Sequence, residues 1–139
     1  AKSGLGKLIA KTAAATLAFI LAALLLFLGV CSLCFPSVMV GLTNGLGLER
    51  ACAAYTVNLY EQTGEISDLA DAVERCYYSE KYDKAVRYGE ELLAADGFEA
   101  FCAERDAETA GNEDISSGYR EYITALIDSA RALAAEAAA

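Results

Sequence analysis

Two hydrophobic patterns divide the chain near residue 48. In the first part the apolar positions are continuous, and the stretch from Ala13 to Cys34 reads AAATLAFILAALLLFLGVCSLC. In the second part apolar residues recur every three or four positions, which is the period of helices that bury one face. The chain is therefore predicted to be all-α, with one continuous apolar helix followed by a stack of amphipathic helices.

The apolar segment is long enough to cross a lipid bilayer, whose hydrocarbon core needs roughly 20 helical residues. The rest of the chain is too short to wrap a buried helix of this kind on every side. A cleaved signal peptide has a shorter apolar region, of about 7 to 15 residues. We therefore predict a transmembrane helix over residues 12–42. Pro36 is expected to end or kink it, because proline disfavours helical geometry at the residue before it.

The charges are distributed unevenly. Residues 1–11 form a short basic terminus, with Lys2, Lys7 and Lys11, and no charged residue occurs from Thr12 to Leu48. Residues 43–47 contain an Asn-Gly turn signal and are predicted to be a glycine linker. The domain predicted over residues 48–139 carries eight basic and twenty acidic residues, a net charge of −12. Basic flanks stay inside, so the N-terminus is predicted to be cytoplasmic and the acidic domain extracytoplasmic.

Turn and capping residues predict the limits of the helices in the acidic domain. Gly64 is a candidate C-terminal cap and Ser67 a candidate N-cap. Asp96-Gly97 closes the helix that begins at Tyr82. The helices are predicted from Leu48 to Thr63, from Ser67 to about Tyr78, from Tyr82 to about Leu93, from Phe98 to about Thr109 and from Tyr119 to Ala137, with a polar loop over Ala110 to Ser117.

Residues 69–96, LADAVERCYYSEKYDKAVRYGEELLAAD, resemble a tetratricopeptide repeat (TPR), a helical pair of 34 residues. Leu69, Val73 and Cys76 occupy the large positions of its first helix, and Ala85 the small position where two helices cross. Two positions depart from the pattern: Gly89 stands where an aromatic residue is usual, with Tyr88 beside it, and Gly97 stands where the closing proline is usual. The resemblance implies antiparallel hairpins with a concave groove that binds peptides.

In the register of that resemblance, Glu74, Tyr77 and Tyr78 would point into the groove. Tyrosine is favoured at binding surfaces because it supplies rigid contact area with a polar tip. The alternative is that the tyrosines fill core positions. Neighbouring residues of a helix point about 100° apart, so Tyr77 and Tyr78 are not expected to share the centre of a core.

Ala14, Ala18 and Ala22 form a stripe of small residues at four-residue spacing on the predicted membrane helix. Small residues at this spacing let a second helix approach closely, which would allow a homo-oligomer or a membrane partner to pack there. The alternative is that alanine is common in apolar helices and that the stripe has no role.

Catalytic chemistry is not expected. The chain has no histidine, and no nucleophile with an adjacent base or cluster of metal ligands can be recognised. Cys31 and Cys34 have C-x-x-C spacing but lie in the apolar segment, where a structural role is favoured over metal or redox chemistry. An acidic domain also repels phosphate backbones, so nucleic acid is an unexpected partner.

These features predict a single-pass membrane protein that works as an adaptor or scaffold, without a cofactor or metal. Its partner would be a membrane protein or a peptide segment, with the bilayer as its second contact. The alternative is a small accessory subunit of a larger membrane complex.

Overall fold

The computed structural model describes residues 2–112 and 117–139, with side chains described from Gly4 onward in the first range. These residues form helices and no strand, which confirms the all-α prediction. The helices are α1 (Lys2–Cys34), α2 (Pro36–Gly45), α3 (Glu49–Thr63), α4 (Ile66–Tyr78), α5 (Tyr82–Leu93), α6 (Phe98–Thr109) and α7 (Tyr119–Ala138). The polar loop predicted over residues 110–117 lies partly outside the described residues.

The chain divides into two units, residues 1–36 and 37–139. The first unit consists of α1, of which Gly4–Cys34 is long and apolar enough to cross a membrane and is almost wholly exposed. Its hydroxyl groups bond within the helix: Thr12 Oγ1 donates to the Leu8 carbonyl at 2.9 Å and Thr16 Oγ1 to the Thr12 carbonyl at 2.8 Å. These bonds satisfy the hydroxyls without water, as a helix in lipid requires.

The second unit is a stack built around α4, which contacts α3, α5, α6 and α7. The face of α4 that turns inward carries Leu69, Val73 and Cys76, each no more than 2% exposed. Helices α5 and α6 add Ala85, Tyr88, Leu92, Phe98 and Phe101, and α7 adds Ile123, Leu126, Ile127 and Ala130. One apolar core thus joins the last five helices.

The turn between α3 and α4 differs from the sequence prediction in one respect. Gly64 caps α3 as predicted, with φ at 67° and its N–H donating to the Tyr60 carbonyl at 2.8 Å. Ser67 is not the N-cap, however, because α4 already begins at Ile66 after Glu65. The left-handed glycine turns the chain directly into α4, and Thr63 Oγ1 accepts from the Glu65 N–H at 3.3 Å.

Helices α5 and α7 pack closely at Gly89. A Cβ atom at Gly89 would lie 2.5 Å from Cγ1 and 2.8 Å from Cδ1 of Ile127, so any larger residue would force Ile127 to shift. Both Gly89 and Ile127 are buried. Gly89 therefore has a packing reason: Ile127 occupies the space that a side chain at position 89 would take.

Candidate functional site

The exposed face of α4 lines two neighbouring cavities. Asp71, Glu74 and Tyr78 follow one another at three- and four-residue spacing, so they share one face of the helix, away from Leu69 and Val73. All three line a cavity of about 300 Å³ beside the turn between α2 and α3. Asp71 and Glu74 also line a second cavity, of about 350 Å³, toward α6 and α7. We call this surface, formed by Asp71, Glu74 and Tyr78, the α4 groove.

The two carboxyl groups of the α4 groove are held in a partly desolvated setting. Desolvation raises the pKa of Asp71, and it also raises the pKa of Glu74, to which the negative charge of Asp71 contributes. The positive charge of Arg105 opposes both shifts, and the Tyr119 hydroxyl stabilises the ionised Glu74 by a hydrogen bond. A carboxylate that loses water without gaining a full counter-charge favours the approach of a cation.

Arg105 does not fully neutralise this surface. Its guanidinium lies 3.8 Å from a carboxylate oxygen of Glu108 and 5.1 Å from the centre of the Phe101 ring. The second cavity is lined by Asp71, Glu74 and Glu108 against this arginine. Its wall therefore carries more negative than positive charge.

Tyr78 forms the aromatic end of the α4 groove. Its side chain is 61% exposed, yet its position is supported from two sides. The ring meets the Tyr77 ring edge to face at 5.3 Å, and its hydroxyl lies 3.1 Å from the Tyr122 hydroxyl. Burial raises the pKa of Tyr122, with the Tyr78 hydrogen bond as the next cause. Tyr78 is thus an exposed ring that is held in place by its neighbours.

Tyr77 is positioned differently from the other two predicted groove residues. Its ring is half-buried, packs against the core and meets the Tyr82 ring at 5.8 Å. Its hydroxyl lies 2.9 Å from Ser129 Oγ on α7. The structure thus brings Glu74 and Tyr78 together on the α4 groove. Tyr77 lies between α4 and α7, where it lines a separate open cavity of about 530 Å³ together with Tyr78.

The other wall of the α4 groove is fixed by Arg75. Its Nη1 donates to Cys52 Sγ at 3.0 Å and lies 3.4 Å from Asn44 Oδ1. The Cys52 thiol in turn donates to the Val40 carbonyl at 3.6 Å. Arg75 therefore ties α4 to α2 and α3, and the cavity beside Asp71 keeps its shape.

Several residues in and around the α4 groove were not identified from the sequence. Asp71 could have been found from its three-residue spacing to Glu74. Arg105, Tyr119 and Tyr122 lie far from α4 in sequence and join it only because α6 and α7 pack against that helix. No local pattern indicates such a contact.

The remaining candidate residues lie elsewhere. Ala14, Ala18 and Ala22 are all exposed on α1. The five cysteines form no disulfide, and Cys34 is the one that is exposed. Burial raises the pKa of both Cys76 and Cys102, which makes the two thiols poor nucleophiles. Across residues 2–112 and 117–139, no three Cys, Asp or Glu side chains are placed to hold a metal ion.

No family model, curated protein or solved structure matches this chain. The function is therefore argued from the geometry of the α4 groove and the character of α1.

Proposed function

We propose that this chain is a membrane-anchored, non-catalytic interaction protein, in which a TPR-like domain holds a segment of a partner protein in the α4 groove. The observation that carries the proposal is the α4 groove itself. It joins an exposed, supported tyrosine ring to two partly desolvated carboxylates. Binding surfaces favour this combination of a rigid aromatic anchor and a few oriented polar groups.

The partner segment is expected to bring positive charge. Asp71 and Glu74 give up part of their hydration when the domain folds, so a lysine or arginine side chain would recover electrostatic energy there. The net charge of −12 after Leu48 would draw a basic segment toward the domain before contact. Tyr78 would then cover the aliphatic part of the basic side chain or stack on a guanidinium.

The membrane anchor would compensate for a modest affinity of the α4 groove. Helix α1 would span the bilayer with its basic end in the cytoplasm and the acidic domain on the other side. Confinement to the membrane raises the effective concentration of the domain toward partners in the same membrane. A groove of modest affinity would then be sufficient to retain a partner.

Photo-crosslinking tests this assignment. The full chain is expressed with a benzophenone amino acid in place of Tyr78, or in place of Asp83 as the matched control on the exposed side of α5. We expect a discrete crosslinked product in native membranes from position 78, which is lost when Asp71 and Glu74 are replaced by Asn and Gln. Equal products from both positions, or none from position 78, would contradict the proposal.

A second candidate function is supported by α1. The exposed stripe Ala14, Ala18 and Ala22 could be the main contact of an accessory subunit with a larger membrane complex. Under this reading, mild-detergent purification yields a stoichiometric membrane partner that Ala18→Ile removes. Ala23→Ile is the matched control, because position 23 lies about 140° from the centre of the stripe. If both variants keep the partner, the stripe is not the contact.

A further inference from the structure

Helix α2 has one buried side and one exposed apolar side. Met39 and Thr43 are buried, at 5% and 4% exposure. One turn apart beside this buried stripe, Val38 and Leu42 are 52% and 43% exposed, and Leu46, in the turn just after the helix, is 65% exposed. Leu48 adds a further exposed side chain at 51%. We call Val38, Leu42 and Leu46 the α2 apolar face.

The buried side of α2 is tied to the domain. The Thr43 carbonyl accepts from the Leu48 N–H at 2.9 Å, and the Val40 carbonyl accepts from the Cys52 thiol at 3.6 Å. Arg75 adds its contact to Asn44. The α2 apolar face therefore cannot turn inward without breaking these contacts, so any partner for it lies outside residues 37–139.

The length of the apolar helix indicates that this partner is the lipid bilayer. From Thr12, which follows the last basic residue of the N-terminal segment, to Cys34 there are 23 residues. At 1.5 Å per residue they extend about 34 Å, slightly more than the roughly 30 Å of a bilayer core. The chain would therefore leave the hydrocarbon near Cys34, and α2 starts only two residues later. This places Pro36–Gly45 at the depth of the lipid headgroups.

The composition of α2 fits that depth. No charged residue occurs in the helix or in the turn that follows it, up to Leu48. An exposed row of large apolar side chains is costly in water, at about 25 cal/mol per Å² of apolar surface. An interfacial helix removes this cost by burying its apolar side at the boundary between headgroups and acyl chains.

We infer that α2 is an interfacial helix whose apolar face, Val38 and Leu42 with Leu46 just after the helix, lies at the boundary between the headgroups and the acyl chains of the same bilayer that α1 spans. The inference rests on the proposed membrane anchoring and adds a second contact with the lipid surface. Because α2 is bonded to α3 and α4, this contact would hold the domain in a fixed orientation toward the membrane.

The chain contains no tryptophan, so a single introduced tryptophan reports one position. Full-length Leu42→Trp is reconstituted into phosphatidylcholine vesicles whose acyl chains carry bromine near the headgroup end or near the methyl end. We expect blue-shifted emission that the shallow bromines quench more strongly than the deep ones. Val38→Trp, one turn earlier, should behave alike and guards against misfolding of one variant.

Two further variants separate the possible failures. Leu25→Trp reports the span itself, and the exposed Ala103→Trp on α6 reports a helix that packs on α7 and α4. Quenching of Trp at position 25 without quenching at positions 38 and 42 would overturn the interfacial assignment and leave the anchor intact. Unquenched blue emission at positions 38 and 42 would assign the face to a protein contact, such as a second copy, and would also overturn it. An unquenched Leu25→Trp would refute the anchoring itself, and with it this inference.

Discussion

Replacement of Gly89 by alanine should change the stability of the domain with a sign that depends on Ile127. In the native chain the new Cβ would lie 2.5, 2.8 and 3.3 Å from Cγ1, Cδ1 and Cγ2 of Ile127. Overpacking of this kind costs about 1–3 kcal/mol, while alanine gains about 1 kcal/mol over glycine within a helix. We therefore expect Gly89→Ala to lower the free energy of unfolding by up to about 2 kcal/mol.

The Ile127→Ala background removes all three clashing atoms. Ile127→Ala alone should cost about 2–5 kcal/mol, because it leaves a cavity in the core. In this background Gly89→Ala no longer meets these three atoms and should raise the free energy of unfolding by about 1 kcal/mol. Gly41→Ala is the matched control, since a Cβ on this helical glycine of α2 would have no atom within 4 Å. Gly41→Ala should therefore show only the gain in helix propensity from glycine to alanine.

The assay is urea unfolding of the full chain in nonionic detergent, followed by near-ultraviolet circular dichroism. All eight tyrosines lie after Leu48, so the tyrosine bands of this signal report the domain, whereas Phe19 and Phe27 of α1 contribute only at shorter wavelengths. If Gly89→Ala stabilises the native chain as much as it stabilises the Ile127→Ala background, then α5 and α7 do not meet at this point and the packing described above is wrong.

Three other expectations follow from the contacts of α4. Glu74→Gln should raise the free energy of unfolding at neutral pH. The pKa of Glu74 is raised in the folded state, so its contribution to stability is largest in acid and is lost as the pH rises through that pKa. Urea midpoints across pH measure this. Tyr77→Phe should cost about 1 kcal/mol through loss of the Ser129 hydrogen bond, whereas Tyr78→Phe, whose hydroxyl is exposed, should cost less than about 0.5. The Cys76 thiol should resist iodoacetamide until the domain unfolds, as followed by mass spectrometry.

Each expectation has an outcome that would contradict it. The same midpoint change for Glu74→Gln and for Glu65→Gln, an exposed control, would show that Glu74 is not specially desolvated. A larger loss for Tyr78→Phe than for Tyr77→Phe would reverse the assigned roles of the two rings. Rapid alkylation of Cys76 in the folded chain would mean that α4 does not pack as described.

The helices could be predicted because their signals are local. Gly64 and Gly97 both adopt positive φ, at 67° and 85°, and both mark turns that the sequence indicates. The long apolar helix needs only its composition. The error at Ser67 arose because either Ser67 or the residues just before it could start α4, and the conformation of Gly64 decides between them.

The candidate site could be predicted only in part. The register of the TPR resemblance places Glu74, Tyr77 and Tyr78 in one groove, and in the structure Glu74 and Tyr78 share one face of α4. The helical period also requires Tyr77 and Tyr78 to diverge, but it does not say which of the two packs toward α7. In the structure it is Tyr77, whose hydroxyl lies 2.9 Å from Ser129 Oγ. Arg105 and Tyr119 line the same cavity as Asp71 and Glu74 because α6 and α7 pack against α4. The hydrophobic period of a single helix does not predict that packing.

Alkaline carbonate extraction of native membranes tests the membrane attachment on which the proposed function depends, because it strips proteins that are bound only at the surface. The full-length chain should stay in the membrane pellet. Release of the chain into the supernatant, as a folded protein that needs no detergent, would contradict the account.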